Sequence, residues 1–269
     1  LEHQVAAHHG RHFQGHAVWD RIGRYVYATE NVYDVTGENL DPMDSVIGIY
    51  DAERGYARAG ELPAHGIGAH ELAWMPDQQT LAVAVGGIYS HPALGEALNT
   101  EVMRPALVLL NAVSGALVAR HESPDQFSSV RHLAVSPAGV LVAVQRHSTN
   151  PPVLPLVLRL QDGLVEMPQE DAEYGRLNGY TSGIAVEPAT GRMLVASPQG
   201  DHVMVLDAQG RQLAMHHHVE VSGTAVLAGH FVASTGTGHL VILSMDGVQR
   251  AVMQEPNAYW DNHLLAIPD

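Results

Sequence analysis

The sequence contains neither cysteine nor lysine, and these two absences exclude several kinds of chemistry. Without cysteine there is no disulfide, thiolate nucleophile, cysteine-ligated zinc or iron–sulfur cluster. All 14 basic residues are arginine, so there is no P-loop lysine, Schiff base or Ser–Lys dyad. With 29 acidic residues the formal net charge is −15. We therefore expect no nucleic-acid partner and no anionic membrane surface as partner, because both require a basic protein surface.

Long apolar runs are also missing. The longest, such as Leu81–Val85 and Ala106–Leu110, have the length of a strand, far short of the roughly 20 residues that cross a bilayer, so we expect no membrane span. The first ten residues, LEHQVAAHHG, lack the basic and apolar regions of a signal peptide. At 46% hydrophobic and 16% charged residues, the chain has the composition of a globular protein.

A unit of four short apolar segments separated by turn residues recurs five times along the chain, which is typical of an all-β protein. Equivalent positions of successive units lie 40 to 62 residues apart and fall at His16, His70, His132, Gly183, Gly223 and His263. The longer units carry insertions between their second and third segments, at Asp34–Asp44, Tyr89–Met103 and Gln145–Pro155. A blade of a β-propeller needs about 40 to 50 residues.

The repeat predicts a single β-propeller domain over residues 1–269, built from four-stranded blades. A β-sandwich or a solenoid accounts less well for five recurrences of one four-stranded unit. Two lone strands, Leu1–Ala7 and His263–Ile267, are expected to share an incomplete closing blade. We therefore expect a native chain that extends upstream of Leu1 and forms a monomeric ring.

At one position of the repeat, several units carry histidine or glutamate, residue types that commonly bind metals. The first strand of each propeller blade lines the central channel, so equivalent points of the first strands converge at one end of it. His132, His263 and Glu71 each lie five residues before a proline, and Gly183 holds the same position. The candidate metal ligands are His16, His70, Glu71, His132 and His263. The candidate residues that flank them are His65, Arg131 and Asp261.

Three interpretations of this cluster remain open. Imidazoles with one carboxylate suit iron(II), zinc or manganese, and an open coordination position could activate water or oxygen. Alternatively, Arg104 and Arg131 could pair in bidentate fashion with an anionic or siderophore-like ligand. In the third interpretation the histidines only join neighbouring blades through backbone hydrogen bonds.

Several motifs occur together in a fixed order, and they carry a resemblance to a known family. They include RHFQGHAVWD (Arg11–Asp20), YVYATENVYD (Tyr25–Asp34), HGIGAHELAWMPD (His65–Asp77), GGIYSHP (Gly86–Pro92) and YWDNHL (Tyr259–Leu264). The set resembles a bacterial β-propeller family of unknown function that is exported by the twin-arginine route. Genes of that family tend to lie beside imelysin-type iron-uptake genes. Glu30 and Asn31 belong to the second motif and are candidate ligand-binding residues.

The resemblance implies a propeller of seven blades, with six as the alternative, a periplasmic location and a role in iron acquisition. We therefore expect a non-enzymatic protein that binds a metal, a small metal complex or an iron-uptake partner protein. One alternative is a metal-dependent hydrolase, similar to a lactonase, with its site at the mouth of the channel. Another is a protein-docking scaffold with no bound ligand.

Overall fold

The computed structural model describes residues 4–92, 94, 97–137, 139–148, 155–168, 174–255, 257–260 and 263–265. In these residues, 20 strands form five sheets of four strands each. Three short 3-10 helices lie in the connections, at Ala52–Arg54, Thr100–Val102 and Gly175–Leu177. Among the residues just given, no helix is both long enough and apolar enough to cross a membrane.

The chain divides into two compact units, residues 1–131 and 132–269. Every sheet is an antiparallel meander in which strands that follow one another in the chain are neighbours. The first unit contains sheets 1 and 2. Sheet 1 consists of β1 (Arg11–Trp19), β2 (Tyr25–Val32), β3 (Val46–Asp51) and β4 (Ala57–Pro63). Sheet 2 consists of β5 (Ala69–Trp74), β6 (Thr80–Val85), β7 (Ala106–Asn111) and β8 (Leu117–Glu122).

The second unit contains sheets 4, 5 and most of sheet 3. Sheet 3 consists of β9 (Ser128–Ser136), inside which the first unit ends, β10 (Gly139–Arg146), β11 (Val157–Leu160) and β12 (Leu164–Glu166). Sheet 4 consists of β13 (Gly183–Val186), β14 (Met193–Ser197), β15 (His202–Leu206) and β16 (Gln212–His217). Sheet 5 consists of β17 (Val221–Leu227), β18 (His230–Thr235), β19 (His239–Ser244) and β20 (Gln249–Gln254).

Burial decreases from the second strand of a sheet to its fourth. Strand β14 is buried at every residue, whereas five of the six residues of β20 are exposed. A strand that packs on both faces is apolar without interruption, as MLVAS is, while an edge strand mixes polar and apolar residues, as QRAVMQ does. The continuous and the mixed segments of the sequence therefore mark the interior and the edge of each sheet.

Neighbouring sheets of one unit pack face to face around an apolar core. In the first unit Ile47 and Leu62 of sheet 1 join Leu72, Val83 and Leu110 of sheet 2. The corresponding core of the second unit joins sheets 4 and 5 around Phe231, which is fully buried. The sandwiching of one sheet by the next explains why middle strands need apolar side chains on both faces.

The first strands of neighbouring sheets lie against each other in both units, β1 against β5 and β13 against β17. In the first unit the Thr29 hydroxyl donates a hydrogen bond of 2.7 Å to the carbonyl oxygen of His70. In the second, the Ser182 hydroxyl donates one of 2.9 Å to the carbonyl oxygen of Ser222. In each unit one small hydroxyl side chain thus joins adjacent sheets, from the second strand of sheet 1 and from the residue before the first strand of sheet 4.

The predicted repeat of five four-stranded sheets is confirmed. The insertions 34–44 and 89–103 lie between the second and third strands of their sheets, as expected. The two lone strands are not found in residues 4–7 or 263–265, which the structure leaves outside any strand. A strand requires a hydrogen-bonded partner, and each of the five sheets already has its four strands.

Candidate functional site

Backbone irregularities bring three of the predicted metal ligands together, His16 within β1 and His70 and Glu71 at the start of β5. The register of β1 against β2 shifts between Phe13 and Ala17, the interval that contains His16. The register of β5 against β6 shifts between Ala69 and Leu72, the interval that contains His70 and Glu71. A bulge redirects side chains that strict alternation would send to opposite faces. Two consecutive residues of β5 therefore both approach His16.

The geometry of this cluster is close. The rings of His16 and His70 have centroids 4.7 Å apart with an interplanar angle of 52°. Nδ1 of His16 lies 3.9 Å from Oε1 of Glu71, and their side chains are 11% and 26% exposed. Two ligands that each lie about 2.0–2.2 Å from one metal ion are at most about 4.4 Å apart. The spacing of His16 and Glu71 suits a shared cation, and it also suits an imidazolium–carboxylate pair.

The other two predicted metal ligands contact each other in the second unit. His132 is a buried residue of β9, and His263 is an exposed residue near the end of the chain. Their ring centroids are 5.5 Å apart, with an interplanar angle of 52°. Asp261, the carboxylate expected beside His263, lies outside the residues that the structure describes.

The remaining predicted flanking residues have partners elsewhere. Nε2 of His65 is 2.7 Å from the carbonyl oxygen of Gly115, so this ring is tied to the turn before β8. Arg104 is 75% exposed and donates to Glu122 at 2.5 Å. Arg131 is half-buried on β9 and its guanidinium lies over Gly86, where an added Cβ would be 3.3 Å from Nη1. None of these contacts joins Arg104 or Arg131 to the His16 cluster.

Glu30 is a fully buried carboxylate whose partners are all protein groups. The Tyr50 hydroxyl donates to it, and Nη1 of Arg58 lies 2.8 and 2.9 Å from its two oxygens. Gly48 faces the same carboxyl group, and a Cβ there would be 2.8 Å from its Cδ atom. The predicted ligand-binding role of Glu30 stays a prediction, while the geometry accounts for it as an internal carboxylate that holds sheet 1 together.

The ion pair of Glu30 and Arg58 extends to two further charged residues, Glu61 and Arg11. Nη2 of Arg58 donates to Glu61 at 2.7 Å, and Arg11 donates to both oxygens of Glu61 at 3.1 Å. Burial, followed by the hydrogen bond to Glu30, raises the pKa of Tyr50. Burial acts to lower the pKa of Arg58, but its bonds to Glu30 and Glu61 outweigh it and the pKa is raised. The guanidinium of Arg58 therefore stays charged and paired.

Asn31 acts on the candidate site through a residue that the sequence did not single out. The Ser45 hydroxyl donates to Oδ1 of Asn31 at 2.8 Å, and it accepts the backbone N–H groups of Gly68 and Ala69 at 2.9 and 3.1 Å. These bonds fix the backbone directly before His70. Thr29, which bonds the carbonyl oxygen of His70, positions the same strand. Ser and Thr before or within strands are too common for either role to be visible in the sequence.

One comparison with known proteins covers almost the whole chain. A family model described as "Protein of unknown function (DUF1513)" matches residues 2–267. The expected resemblance to a family of unknown function is confirmed to that extent. None of the curated proteins is similar enough to the chain to count as a relative.

Proposed function

The chain belongs to the DUF1513 family of unknown function, and we propose that it is a β-propeller that binds a divalent cation or a small metal complex at the inner end of its first strands. The approach of His16 Nδ1 to Glu71 Oε1, which are 3.9 Å apart beside the ring of His70, carries this proposal. Two imidazoles and a carboxylate form a ligand set that suits iron(II), zinc or manganese. The repeat in the sequence adds His132 and His263, which hold the same position on their own segments, as candidate further ligands.

The propeller arrangement is part of the proposal. It is supported by five identical meanders and by first strands that lie side by side within each unit. In each unit a side-chain hydroxyl also joins one sheet to the next, and contact between successive repeats is what a ring of blades requires. The resemblance to the exported propeller family favours seven blades, with six as the alternative.

The periplasmic location and the role in iron acquisition are proposals from the sequence resemblance alone. They agree with the chemistry of the cluster, because iron(II) accepts imidazole and carboxylate ligands together. The partner would then be a periplasmic iron-uptake protein or a small iron complex. Cross-linking in the native host, followed by identification of the captured protein, tests the partner separately from the metal.

Metal content tests the cation site. Protein loaded anaerobically with iron(II), and separately with zinc or manganese, is desalted and analysed by elemental mass spectrometry. We expect about one equivalent in the wild type and a loss of at least tenfold in affinity for His16→Ala and Glu71→Gln, since each removes a direct ligand. His230→Ala, an exposed histidine of β18, is the matched control and should leave the content unchanged. Absence of binding in the wild type, or equal binding in folded variants, contradicts the proposal.

A metal-dependent hydrolase is the second candidate for the same residues. Glu71 is 26% exposed, so water reaches the cluster, and three protein ligands leave coordination positions for it. Turnover of lactone and ester substrates by the loaded protein, lost in Glu71→Gln, would favour the enzyme. Stoichiometric binding without turnover would favour the binding protein.

A further inference from the structure

A second cluster of histidines lines a cleft in the second unit, where sheets 4 and 5 meet. The cleft has a volume of about 420 Å³, within the roughly 300–1,000 Å³ of small-molecule sites. It shares no residue with the cluster at His16. Its lining consists of His217, His218, Val219, Thr235, Thr237, His239 and Val252.

Hydrogen bonds order two of the three imidazoles before any ligand arrives. Nε2 of His218 lies 3.0 Å from Oε1 of Gln249, so a neighbouring strand holds this ring. Nδ1 of His239 lies 3.0 Å from the Thr237 hydroxyl, which is 2.8 Å from the Thr235 hydroxyl. Thr235 also accepts the backbone N–H of His239 at 3.0 Å. These bonds engage Nδ1 of His239, so Nε2 is the ring nitrogen that remains for a ligand.

The lining combines hydrogen-bond donors with apolar walls and contains no acidic side chain. The His217 ring is exposed at the end of β16 and packs against His202, with centroids 5.2 Å apart. Val219 and Val252 are both large exposed apolar residues. A lining without carboxylates is notable in a chain that carries 29 acidic residues, because it lets an anion approach a protein of net charge −15.

We propose that this cleft binds a small organic carboxylate with a short apolar body. The imidazole N–H groups of His217 and His239 supply donors for the carboxylate, since hydrogen bonds to an ionised acceptor are the stronger ones. The Thr237 hydroxyl donates its single hydrogen to Nδ1 of His239, which keeps the proton of that ring on Nε2. Val219 and Val252 contact the apolar part. The His218 ring forms part of the wall of the cleft. Burial, together with the neighbouring imidazoles, lowers its pKa, so it adds no positive charge at neutral pH.

The acidic residue Glu220 flanks the cleft, so the proposal predicts how a substitution of Glu220 changes ligand binding. The carboxylate of Glu220 lies against Gly236, between Thr235 and Thr237, where an added Cβ would be 3.4 Å from its Cδ atom. Its backbone N–H is held by Asp201 at 2.7 Å. A negative charge at this place opposes an anionic ligand. Glu220→Gln should therefore strengthen carboxylate binding.

Ligand-observed NMR titration with benzoate and butyrate tests the site. Benzylamine and benzyl alcohol serve as probes of the same size without the negative charge. We expect benzoate to bind the wild type and His217→Ala to weaken binding about tenfold through loss of one charge-assisted hydrogen bond. Thr237→Val should weaken it similarly, because the hydroxyl that keeps the proton of His239 on Nε2 is lost. His230→Ala is the control, since this exposed ring bonds only the Ala228 carbonyl oxygen in its own turn.

Each outcome supports or overturns the proposal. Weaker binding in Thr237→Val and tighter binding in Glu220→Gln support it. Absence of benzoate binding, equal affinity in folded variants, or preference for benzylamine overturns it. Zinc that binds the wild type and is lost in His217→Ala and His239→Ala would reassign the cleft to a metal ion. The metal content of the His16 variants is a separate readout, so failure of one proposal leaves the other unaffected.

Discussion

The same position of the repeat is filled differently in the two units. In the first unit it carries His16 and the neighbours His70 and Glu71, whose side chains meet across two strands. In the second unit it carries His132 in sheet 3 and His263 near the end of the chain, but glycine in sheets 4 and 5, at Gly183 and Gly223. A Cβ on Gly183 would lie 3.0 Å from the carbonyl oxygen of Ser222, and one on Gly223 would lie 3.0 Å from the backbone nitrogen of Leu264. The backbones approach so closely there that no side chain fits.

This difference distinguishes the features that pack one sheet on the next from the side chains of the candidate metal site. The hydroxyl bond between neighbouring sheets is present in both units, so the connection does not depend on the residue at the shared position. Sheets 4 and 5 are thus joined without a histidine at that position. The bulge around Gly223, like those around His16 and His70, shows that the backbone irregularity also belongs to the scaffold. What varies is the side chain that the bulge presents.

A second contrast concerns the interiors. Sheet 1 buries a carboxylate with its guanidinium partner, whereas the core between sheets 4 and 5 is apolar and built around Phe231. Glu30→Ala leaves Arg58, only 17% exposed, beside an empty space and should lower the free energy of unfolding by about 3 kcal/mol. Glu61→Gln, at an exposed position, should change it by less than about 1 kcal/mol.

Urea unfolding, with hydrogen exchange to assign the loss to one unit, measures this contrast. Phe231→Ala provides the apolar counterpart, with an expected loss of about 3–5 kcal/mol confined to the second unit. If Glu30→Ala were no more harmful than Glu61→Gln, the buried pair would not stabilise sheet 1 and the contrast between the interiors would disappear.

Substitutions at the shared position of the repeat should cause the next largest loss of stability. Gly183→Val forces a side chain against Thr224 Oγ1, 2.9 Å from the Cβ position, and against the backbone of Ser222, and should destabilise by about 1–3 kcal/mol. His16→Ala should cost about 1 kcal/mol or less while removing cation binding. Thermal and urea unfolding with metal analysis compare the two. A larger loss of stability in His16→Ala would identify this histidine as part of the scaffold.

The smallest expected loss of stability concerns the hydroxyl bonds between neighbouring sheets, which both units have. Thr29→Val and Ser182→Ala each remove one hydroxyl donor to the carbonyl oxygen of a neighbouring sheet. Each should lower the free energy of unfolding by about 1 kcal/mol, because a typical hydrogen bond contributes about that much. The measurement is the urea midpoint at constant slope. A difference of more than about 1 kcal/mol between the variants would show that the two connections are not equivalent.

The strands and the repeat were visible in the sequence because they depend on neighbours in the chain. Uninterrupted apolar segments such as MLVAS and turn glycines such as Gly210 and Gly247, both with positive φ, report local requirements. The contact of His16 with His70 was likewise within reach, because equivalent positions of a repeat are placed alike.

The partners of Glu30 and His218 could not be predicted in this way. Glu30 and Arg58 are 28 residues apart, and His218 and Gln249 are 31 apart on different sheets. Which side chains meet across that distance depends on the bulges and on how far each sheet is rotated against the next. Neither is encoded in an alternating pattern, so the sequence did not show that Glu30 is buried and paired with Arg58, and its ligand-binding role stays a prediction.

The consecutive order of strands in every sheet has a kinetic consequence. Each strand pairs with the one that precedes it in the chain, so a sheet is completed within one short stretch of sequence. Closing short loops costs less entropy than bringing distant segments together. A sheet can therefore begin to form as soon as its own residues have left the ribosome. The apolar faces that await the next sheet, such as that of β14, stay open in the interval, and synthesis rate sets how long the nascent chain exposes them.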